Sequence, residues 1–263
     1  MFINNFSSSK LNTYQECQYK YRLKYHDRLE PSFNENQSAD ALHYGSFVHE
    51  ILEVGIEEDT LEGLRTLAEE LRPKYQFDDK KLKNLESILK NFLSLNAKLP
   101  ETVDIERKFK IEFKEGMHVN GYIDRIVKND KGQYLVIDYK TSKRAKTRLE
   151  LYKDNQMRMY AYAATQMYGV SIKDVVVAHY YPHYDKLISV KYSSADIAFF
   201  LNSVKENMWA VRKKKAESFQ CMRNQFCDWC GYKDICPLFS NAIERRQKLK
   251  AHELLKESQD SKG

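Results

Sequence analysis

The residues best suited to chemistry are two aspartates and a lysine on neighbouring predicted strands. Asp124 precedes a polar, glycine-containing break at 129–133, and Asp138 and Lys140 follow it. Both flanks alternate β-forming and apolar residues, so the pattern predicts a β-hairpin. Because side chains alternate along a strand, Asp138 and Lys140 are expected on the same face.

This trio fits metal-dependent hydrolysis of a phosphodiester. Two carboxylates can share a divalent cation, and a neighbouring lysine can stabilise an oxyanion or hold a water molecule. Burying either charge alone is costly, so their presence on a buried strand needs a reason. The alternative is an ordinary Asp–Lys pair on a solvated strand face.

Acidic and histidine side chains on other elements are candidates for the same site. A helix predicted at about 41–58 carries His49 beside its buried stripe, where a lone histidine is usually a hydrogen-bonded core residue. Glu53, one turn later, faces either the same site or solvent. Glu106, in a strand predicted at 101–114, faces the site or lies on the surface as a plain carboxylate.

The segment after the hairpin has features suited to a nucleic-acid strand. The loop 141–148 is basic and leaves directly from the proposed site, where phosphates would lie. A helix predicted at about 149–168 places Gln156 and Tyr160 one turn apart on one face. We expect Tyr160 to lie against a sugar or base, with basic side chains along the phosphates: Lys143, Arg144 and Lys146.

Three cysteines near the C-terminal end form a compact C-x2-C-x5-C array, at Cys227, Cys230 and Cys236. Thiolates at this spacing can surround one metal centre, which needs a fourth ligand. From the residues alone, Cys17 and Cys221 are both candidates, and zinc and an iron–sulfur cluster both remain open.

Composition limits the class of protein. The 263 residues include 43 Lys and Arg against 37 Asp and Glu, a formal charge of +6 that is compatible with a polyanionic partner. No apolar run is long enough to span a bilayer, and the first residues do not form a secretory signal. The sequence therefore predicts a cytoplasmic protein without a membrane partner, in which cysteines bind metal rather than form disulfides.

Taken together, these motifs resemble the PD-(D/E)XK nuclease superfamily, in particular its RecB-like branch with an iron–sulfur cluster. That branch includes the AddB nuclease domain and the CRISPR-adaptation nucleases of the Cas-four type. The resemblance covers nearly the whole chain in the family's order, and the motifs that carry it are Tyr14-x-x-Cys17, Gly45-x-x-x-His49, Gly121-x-x-Asp124-Arg125, Asp138-Tyr139-Lys140-Thr141, Gln156-x-x-x-Tyr160 and the array Cys227, Cys230 and Cys236.

The resemblance implies an α/β, restriction-endonuclease-like fold with a central mixed sheet flanked by helices. It implies one nuclease domain at 1–240 with a cysteine lobe at 221–237, and the residues at about 60–99, which the resemblance does not cover, are interpreted as a helical insertion. A C-terminal helix and tail follow at 241–263. The lobe is expected to hold an iron–sulfur cluster and to join the N-terminal and C-terminal segments.

It also implies roles for individual residues. His49, Asp124 and Asp138, with the backbone carbonyl of Tyr139, would hold Mg²⁺ or Mn²⁺, and Lys140 would position the nucleophile or stabilise the transition state. Gln156 and Tyr160 would orient the strand. A four-iron, four-sulfur cluster would be bound by four cysteines, with Cys221 as a spare, and these ligands are Cys17, Cys227, Cys230 and Cys236.

The expected function is metal-dependent DNA cleavage, as an exonuclease acting on single strands or DNA ends in recombination, repair or CRISPR adaptation. A helicase or a CRISPR-adaptation protein is the expected partner. One alternative is a nuclease-like DNA-binding module of a larger complex with little activity of its own. Another is a zinc-bound scaffold protein without a nuclease role.

Overall fold

The computed structural model of the chain describes residues 5–31 and 35–250. It divides into two compact units. The terminal unit comprises Met1–Asn34, Lys114–Met117 and Asn202–Gly263, and the central unit comprises Glu35–Phe113 and His118–Leu201. Part of the predicted C-terminal helix is present, since residues 242–250 are helical, and the predicted tail beyond 250 lies outside the described residues.

The elements follow the order expected of an α/β protein. Before the central unit lie β1 (Asn5–Phe6), α1 (Ser8–Glu16), α2 (Gln18–Tyr21) and a π-helical turn (Arg22–His26). The elements that follow are α3 (Glu35–Val54), α4 (Leu61–Leu71), α5 (Leu85–Asn96), β2 (Glu101–Lys114), β3 (Met117–Lys128), β4 (Tyr134–Tyr139), α6 (Arg148–Tyr152), α7 (Asn155–Tyr168), β5 (Val175–Tyr181), β6 (Lys186–Val190) and α8 (Ser194–Lys213).

The central unit is built on a mixed sheet, as the sequence predicts. β3 pairs with β2 and, antiparallel, with β4. β4 runs parallel to β5, and β5 runs antiparallel to β6. The predicted hairpin of β3 and β4 closes because Asn129 accepts hydrogen bonds from the backbone N–H groups of Lys131 and Gln133, and Gly132 takes a positive φ of 76°.

Helices flank this sheet and bury apolar side chains against it. Residues of α3, α4 and α5 share one core cluster with Tyr139 of β4 and Tyr180 of β5. α7 contacts β4 and β5 through a row that includes Met157 and Ala161. The segment predicted as an insertion at about 60–99 therefore contributes to the core of its unit through Phe92 and its neighbours.

Several predicted helices are interrupted in the structure. Apolar and aromatic residues at spacings of three and four from Leu11 to Tyr25 favour one helix, but it breaks at Cys17, whose backbone is extended with φ −160° and ψ 111°. The one expected at 149–168 divides into α6 and α7, because the Asp154 side chain accepts a hydrogen bond from the Gln156 N–H and begins a new helix there. None of the helices in the described ranges has the length and apolar content needed to cross a bilayer.

Candidate active site and cysteine cluster

Two buried aspartates from adjacent strands form the centre of the candidate active site. Asp138, at the end of β4, is 2 % exposed, and Asp124 of β3 is 7 % exposed. The backbone N–H of Tyr139 donates to Asp124 Oδ2 over 2.7 Å. Burial, followed by the negative charge of Asp138, raises the pKa of Asp124 well above its ordinary value. Two carboxylates in a poorly hydrated site therefore repel each other when both are ionised.

His49 approaches these carboxylates from α3. Its Nδ1 lies 3.5 Å from Asp124 Oδ2 and 3.8 Å from Glu53 Oε1. Its ring also hydrogen bonds with the backbone of Tyr139. Burial lowers the pKa of His49 despite the opposing charge of Asp138, so the imidazole is neutral at pH 7, the form that can bind a metal.

A glycine one turn before His49 allows this approach. A Cβ atom at Gly45 would lie 3.3 Å from Thr141 Oγ1, in the loop that follows β4. At this distance the Thr141 side chain would have to move by a few tenths of an ångström to accommodate even a methyl group on residue 45. The Gly45-x-x-x-His49 spacing thus has a packing reason: the glycine brings one face of α3 close to the strand that carries Asp138.

Lys140 lies between a carboxylate and an amide. Its Nζ is 2.6 Å from Asp138 Oδ2 and donates to Gln156 Oε1 over 3.1 Å. Burial acts to lower the pKa of Lys140, but the charge of Asp138 and the hydrogen bond to it outweigh burial, and the pKa is raised. The ammonium is therefore held in its charged form beside the two aspartates.

Gln156 and Tyr160 continue this hydrogen-bonded chain along α7. The Gln156 Nε2 donates to the Tyr160 hydroxyl over 2.8 Å. That hydroxyl donates to the backbone carbonyl of Tyr122 and lies 3.4 Å from Asp138 Oδ1. Tyr160 is only 4 % exposed, so the expectation that its ring lies against a sugar or base is wrong. Tyr122, whose side chain is 52 % exposed, is the accessible ring at this point.

Two glutamates not firmly assigned from the sequence complete the site. Glu53 and Glu106 line one open cleft together with His49 and Thr141. Burial, then the hydrogen bond with Glu106 and the charge of that residue, raise the pKa of Glu53 to about 8. The i, i+4 spacing from His49 was a usable signal for Glu53. Glu106 adopts a positive φ of 47°, which no local pattern indicated.

The basic loop is less available than its sequence indicates. Arg144 pairs with Glu150 at 2.8 Å, and Lys146 pairs with Asp154, whose side chain is nearly buried. Within the described ranges, Lys143 makes no ion pair. Of the three cations predicted to follow the phosphates, two are therefore engaged with carboxylates of their own unit.

The donor atoms at the aspartates suit a hard divalent ion in type. Imidazole, carboxylate and carbonyl groups are ligands for Mg²⁺ and Mn²⁺, and a cation would offset the repulsion between Asp124 and Asp138. In residues 5–31 and 35–250, no group of three or more His, Cys, Asp or Glu side chains has an arrangement that could hold an ion as it stands. Lys140 occupies the position beside Asp138 instead.

All five cysteines lie in the terminal unit and line a single cavity. The sulfur of Cys221 is 3.8 Å from that of Cys236, and backbone N–H groups of Lys20 and Asn224 point to the sulfurs of Cys17 and Cys227. The set of soft thiol ligands fits an iron–sulfur cluster or zinc in type. Cys221, expected to be a spare, lines the same cavity as the four predicted ligands.

Contacts between distant parts of the sequence hold this cavity. The Tyr19 N–H donates to the Gln220 carbonyl over 3.0 Å, and the buried Tyr232 hydroxyl donates to the Leu29 carbonyl over 2.7 Å. Burial, followed by the charge of Cys236, raises the pKa of Cys221 to about 12. A metal that binds these sulfurs would have to displace their protons.

Comparison with known proteins agrees with this geometry. Residues 5–237 match the model of the PD-(D/E)XK nuclease superfamily, and the chain belongs to that superfamily. It is 34 % identical over 152 residues to a subunit of the ATP-dependent helicase/deoxyribonuclease of Streptococcus uberis, a match that covers 52 % of this chain and 14 % of the relative. The corresponding protein of Streptococcus agalactiae is 27 % identical over 151 residues, with the same two coverages.

A solved structure shares the fold. The protein named "Putative exonuclease" from Eubacterium rectale superposes with a TM-score of 0.50 at 13 % identity, covering 86 % of this chain and 87 % of that one. The α/β fold with a mixed central sheet is thus that of the superfamily, as predicted. The chain spans about one seventh of the length of the two streptococcal relatives, which are 14 % covered.

Proposed function

We propose that this chain is a metal-dependent deoxyribonuclease that acts as an exonuclease on single-stranded DNA or on DNA ends. The observation that carries the proposal is the convergence of Asp124, Asp138 and Lys140 with His49 at one largely buried site. Two close carboxylates beside a neutral imidazole and a charged lysine match the needs of phosphodiester hydrolysis and have no simpler structural use.

Mg²⁺ or Mn²⁺ would be held by His49, Asp124, Asp138 and the Tyr139 backbone carbonyl. When bound, such an ion would supply an activated water molecule and would offset charge on the scissile phosphate. An imidazole ligand favours the softer Mn²⁺. Asp138 Oδ2 is paired with the Lys140 ammonium in the structure, so a cation held by Asp138 would weaken that ion pair.

The remaining side chains position the reacting groups. Lys140, which lies beside Asp138, would position the nucleophile or stabilise the transition-state charge. Gln156 accepts a hydrogen bond from Lys140 and donates one to Tyr160. It therefore links the lysine to α7 and restrains the position of its ammonium group. The exposed ring of Tyr122, with Lys108 Nζ 5.6 Å from its centroid, offers a surface for a base and its phosphate.

For the cysteine cavity we propose a four-iron, four-sulfur cluster bound by Cys17, Cys227, Cys230 and Cys236. Zinc is the competing metal, and the absorbance spectrum of anaerobically purified protein separates the two, since zinc is colourless.

We further propose a helicase or CRISPR-adaptation protein as partner, because the streptococcal relatives are named as parts of a helicase/deoxyribonuclease. A cytoplasmic location fits action on DNA.

The proposal is tested by removing one carboxylate and the lysine. Asp138→Ala should lower the rate of Mn²⁺-dependent DNA cleavage by roughly 100-fold to 1000-fold or more. DNA affinity should change little, because phosphate contacts come mainly from basic groups elsewhere. Lys140→Ala should lose cleavage to a similar extent yet still bind Mn²⁺ in calorimetry. Cleavage is measured with a 5′-labelled strand, and binding by fluorescence anisotropy in Ca²⁺.

The matched control is Asp130→Asn, which alters an exposed carboxylate in the turn of the same hairpin and should cut normally. Unchanged Mn²⁺ affinity in both Asp124→Ala and Asp138→Ala would show that the ligand assignment is wrong. A wild-type chain that binds DNA and Mn²⁺ but cuts no substrate would favour a nuclease-like binding module of a larger complex.

A further inference from the structure

A fully buried histidine lies directly behind the candidate catalytic aspartate. His179, in the middle of β5, is the register partner of Asp138 in the parallel pair of β4 and β5, and none of its surface is exposed. Its Nε2 lies 3.8 Å from Asp138 Oδ2 and has no hydrogen-bond partner among the described residues. Buried polar atoms are normally paired, so an unpaired one calls for an explanation.

The contacts of Nδ1, on the opposite edge of the ring, indicate which ring nitrogen carries the proton. The backbone N–H of Lys146 donates to the Tyr181 hydroxyl oxygen over 3.0 Å, and that oxygen lies 3.2 Å from His179 Nδ1. A backbone N–H can only donate, so the Tyr181 oxygen accepts there. This contact favours the tautomer in which the Tyr181 hydroxyl donates to Nδ1 and the His179 proton is on Nε2, facing Asp138, because the other tautomer would aim the Nε2 lone pair at the Asp138 carboxylate.

We propose that His179 is a positioning residue that holds the Asp138 carboxylate in place when Lys140 turns to the reacting phosphate. In the structure, Lys140 lies 2.6 Å from Asp138 Oδ2, the same oxygen that His179 faces. When the lysine leaves, that oxygen loses its nearest cation, and the N–H of His179 replaces the lost contact after a small movement. This inference rests on the proposed nuclease function.

The surroundings support a neutral donor rather than a second cation. His179 is fully buried beside Asp138, and a second cation at this position would carry a large desolvation cost. Lys140, Lys146 and Asp154 are the other charged groups that act on it. An apolar side chain would fill the same space without leaving a polar atom unpaired, as Val177 does on the same strand.

Nitrogen-15 NMR of the full-length chain, with labelled histidine, tests the arrangement without any cleavage. The spectrum of His179 should show a protonated Nε2 and an unprotonated Nδ1. Tyr181→Phe should remove the donor to Nδ1 and produce a mixture of tautomers, whereas Tyr180→Phe, on the neighbouring residue of the same strand, should leave the spectrum unchanged. A wild-type His179 protonated on Nδ1 alone would overturn the proposal.

Kinetics test the consequence for the reaction. His179→Phe keeps a ring but lacks the donor, and should lower kcat for Mn²⁺-dependent cleavage by about 10-fold to 100-fold with little change in KM. His179→Gln places an amide N–H near the position of Nε2 and should recover most of the loss. A phenylalanine variant that folds and keeps the wild-type kcat would refute the positioning role.

These results separate the inference from the proposed function. If the wild type cuts no DNA, the nuclease proposal fails, and calorimetry then decides the inference. His179→Phe should weaken Mn²⁺ binding about 10-fold relative to wild type, and His179→Gln should restore it. Equal affinities in wild type and His179→Phe, beside a loss in Asp138→Ala, would refute the role of His179 while leaving Asp138 as a ligand.

Discussion

At the scale of single residues, the cleft has more acidic groups than nearby cations. Glu53 and Glu106 line the cleft beside His49, and Asp124 and Asp138 lie next to it, with Lys140 paired to Asp138. Burial and repulsion from Asp138 raise the pKa of Asp124, and burial and the interaction with Glu106 raise the pKa of Glu53. Part of this negative charge is therefore neutralised by protons when no metal is bound. A divalent cation and a proton therefore compete for the same carboxylates.

Glu53 makes this competition measurable as a pH dependence of stability. Its folded pKa of about 8 lies above the ordinary value of 4.5, so between these pH values the folded chain keeps a proton that the unfolded chain releases. The free energy of unfolding then falls as pH rises through this window. In Glu53→Gln the fall from pH 5 to 8.5 should be smaller, by on the order of 1 to 2 kcal/mol once solvent screening is allowed for.

Urea unfolding in EDTA at both pH values measures the difference. Glu86→Gln, on α5, is the control, because hydrogen bonds from Arg65 and Lys90 lower the pKa of Glu86 and this residue is not among the charges that act on Glu53. Stability from that residue is complete above about pH 4.5 and lost only below it, so this variant should keep the wild-type slope. An equal slope in wild type and Glu53→Gln would show that Glu53 ionises normally.

Residue types and spacing were sufficient to predict some members of the site. Asp138 and Lys140 are two apart on a strand, so their shared face follows from strand geometry. The sequence does not indicate which way the Glu106 side chain faces, because a positive φ at a residue other than glycine depends on tertiary packing. His179 gave no signal, since an isolated histidine in the apolar run of β5 has the pattern of any core residue.

At the scale of elements, the break after α1 both begins a helix and presents a thiol. Cys17 is extended, and its sulfur accepts the Lys20 N–H as the N-cap of α2. Serine is a good N-cap but a poor ligand for iron, so Cys17→Ser should keep the turn and lose the cluster. Cys17→Ala should lose both and be less stable than Cys17→Ser by about 0.5 to 2 kcal/mol when both lack metal.

Visible absorbance and iron content report the cluster, and thermal unfolding of the metal-free variants reports the cap. Cys227→Ser, Cys230→Ser and Cys236→Ser should also be colourless, while Cys221→Ser should remain brown. A brown Cys17→Ser protein beside a colourless Cys221→Ser protein would reverse the choice of the fourth ligand. Cys221 is the alternative fourth ligand because its sulfur lies 3.8 Å from the sulfur of Cys236.

The boundaries of elements were predicted less well than their types. Periodicity indicated one helix at 149–168, yet Asp154 caps a new helix because its carboxylate is also held by Lys146. Lys146 belongs to the preceding loop, eight residues before Asp154, and a periodic pattern does not reveal a contact of this kind. β2 and the hairpin were placed correctly because alternation and a glycine-containing turn are local signals.

At the scale of the whole molecule, we expect cutting to depend on strand flexibility and on salt. A net charge of +6 and the exposed Tyr122 beside the cleft suit a flexible single strand. Linear single-stranded DNA should therefore be degraded about 10-fold faster than blunt duplex, and affinity should fall as salt rises. Closed single-stranded circles should persist longer than linear strands of the same sequence.

Gel assays of these substrates, with and without the exposed ring, check this expectation. Tyr122→Ala should raise KM for single strands by about 5-fold to 100-fold, the effect of losing one stacked base, with little change for duplex. Phe199→Ala removes another exposed aromatic, on α8, and should have no effect. Circles cut as fast as linear strands would make the protein an endonuclease, and equal rates on duplex would remove the strand preference.

The composition of the terminal unit has a consequence for biosynthesis. Its cysteines come from both sides of the central unit in sequence, with Cys17 before it and four others after Leu201. Ribosomes synthesise the chain from the N-terminus, so every residue of the central unit has been made before Cys221 emerges. If the cysteines bind the proposed cluster, its assembly comes late in biosynthesis, and cells short of iron should accumulate chains whose central unit is folded but whose cysteine cavity holds no cluster.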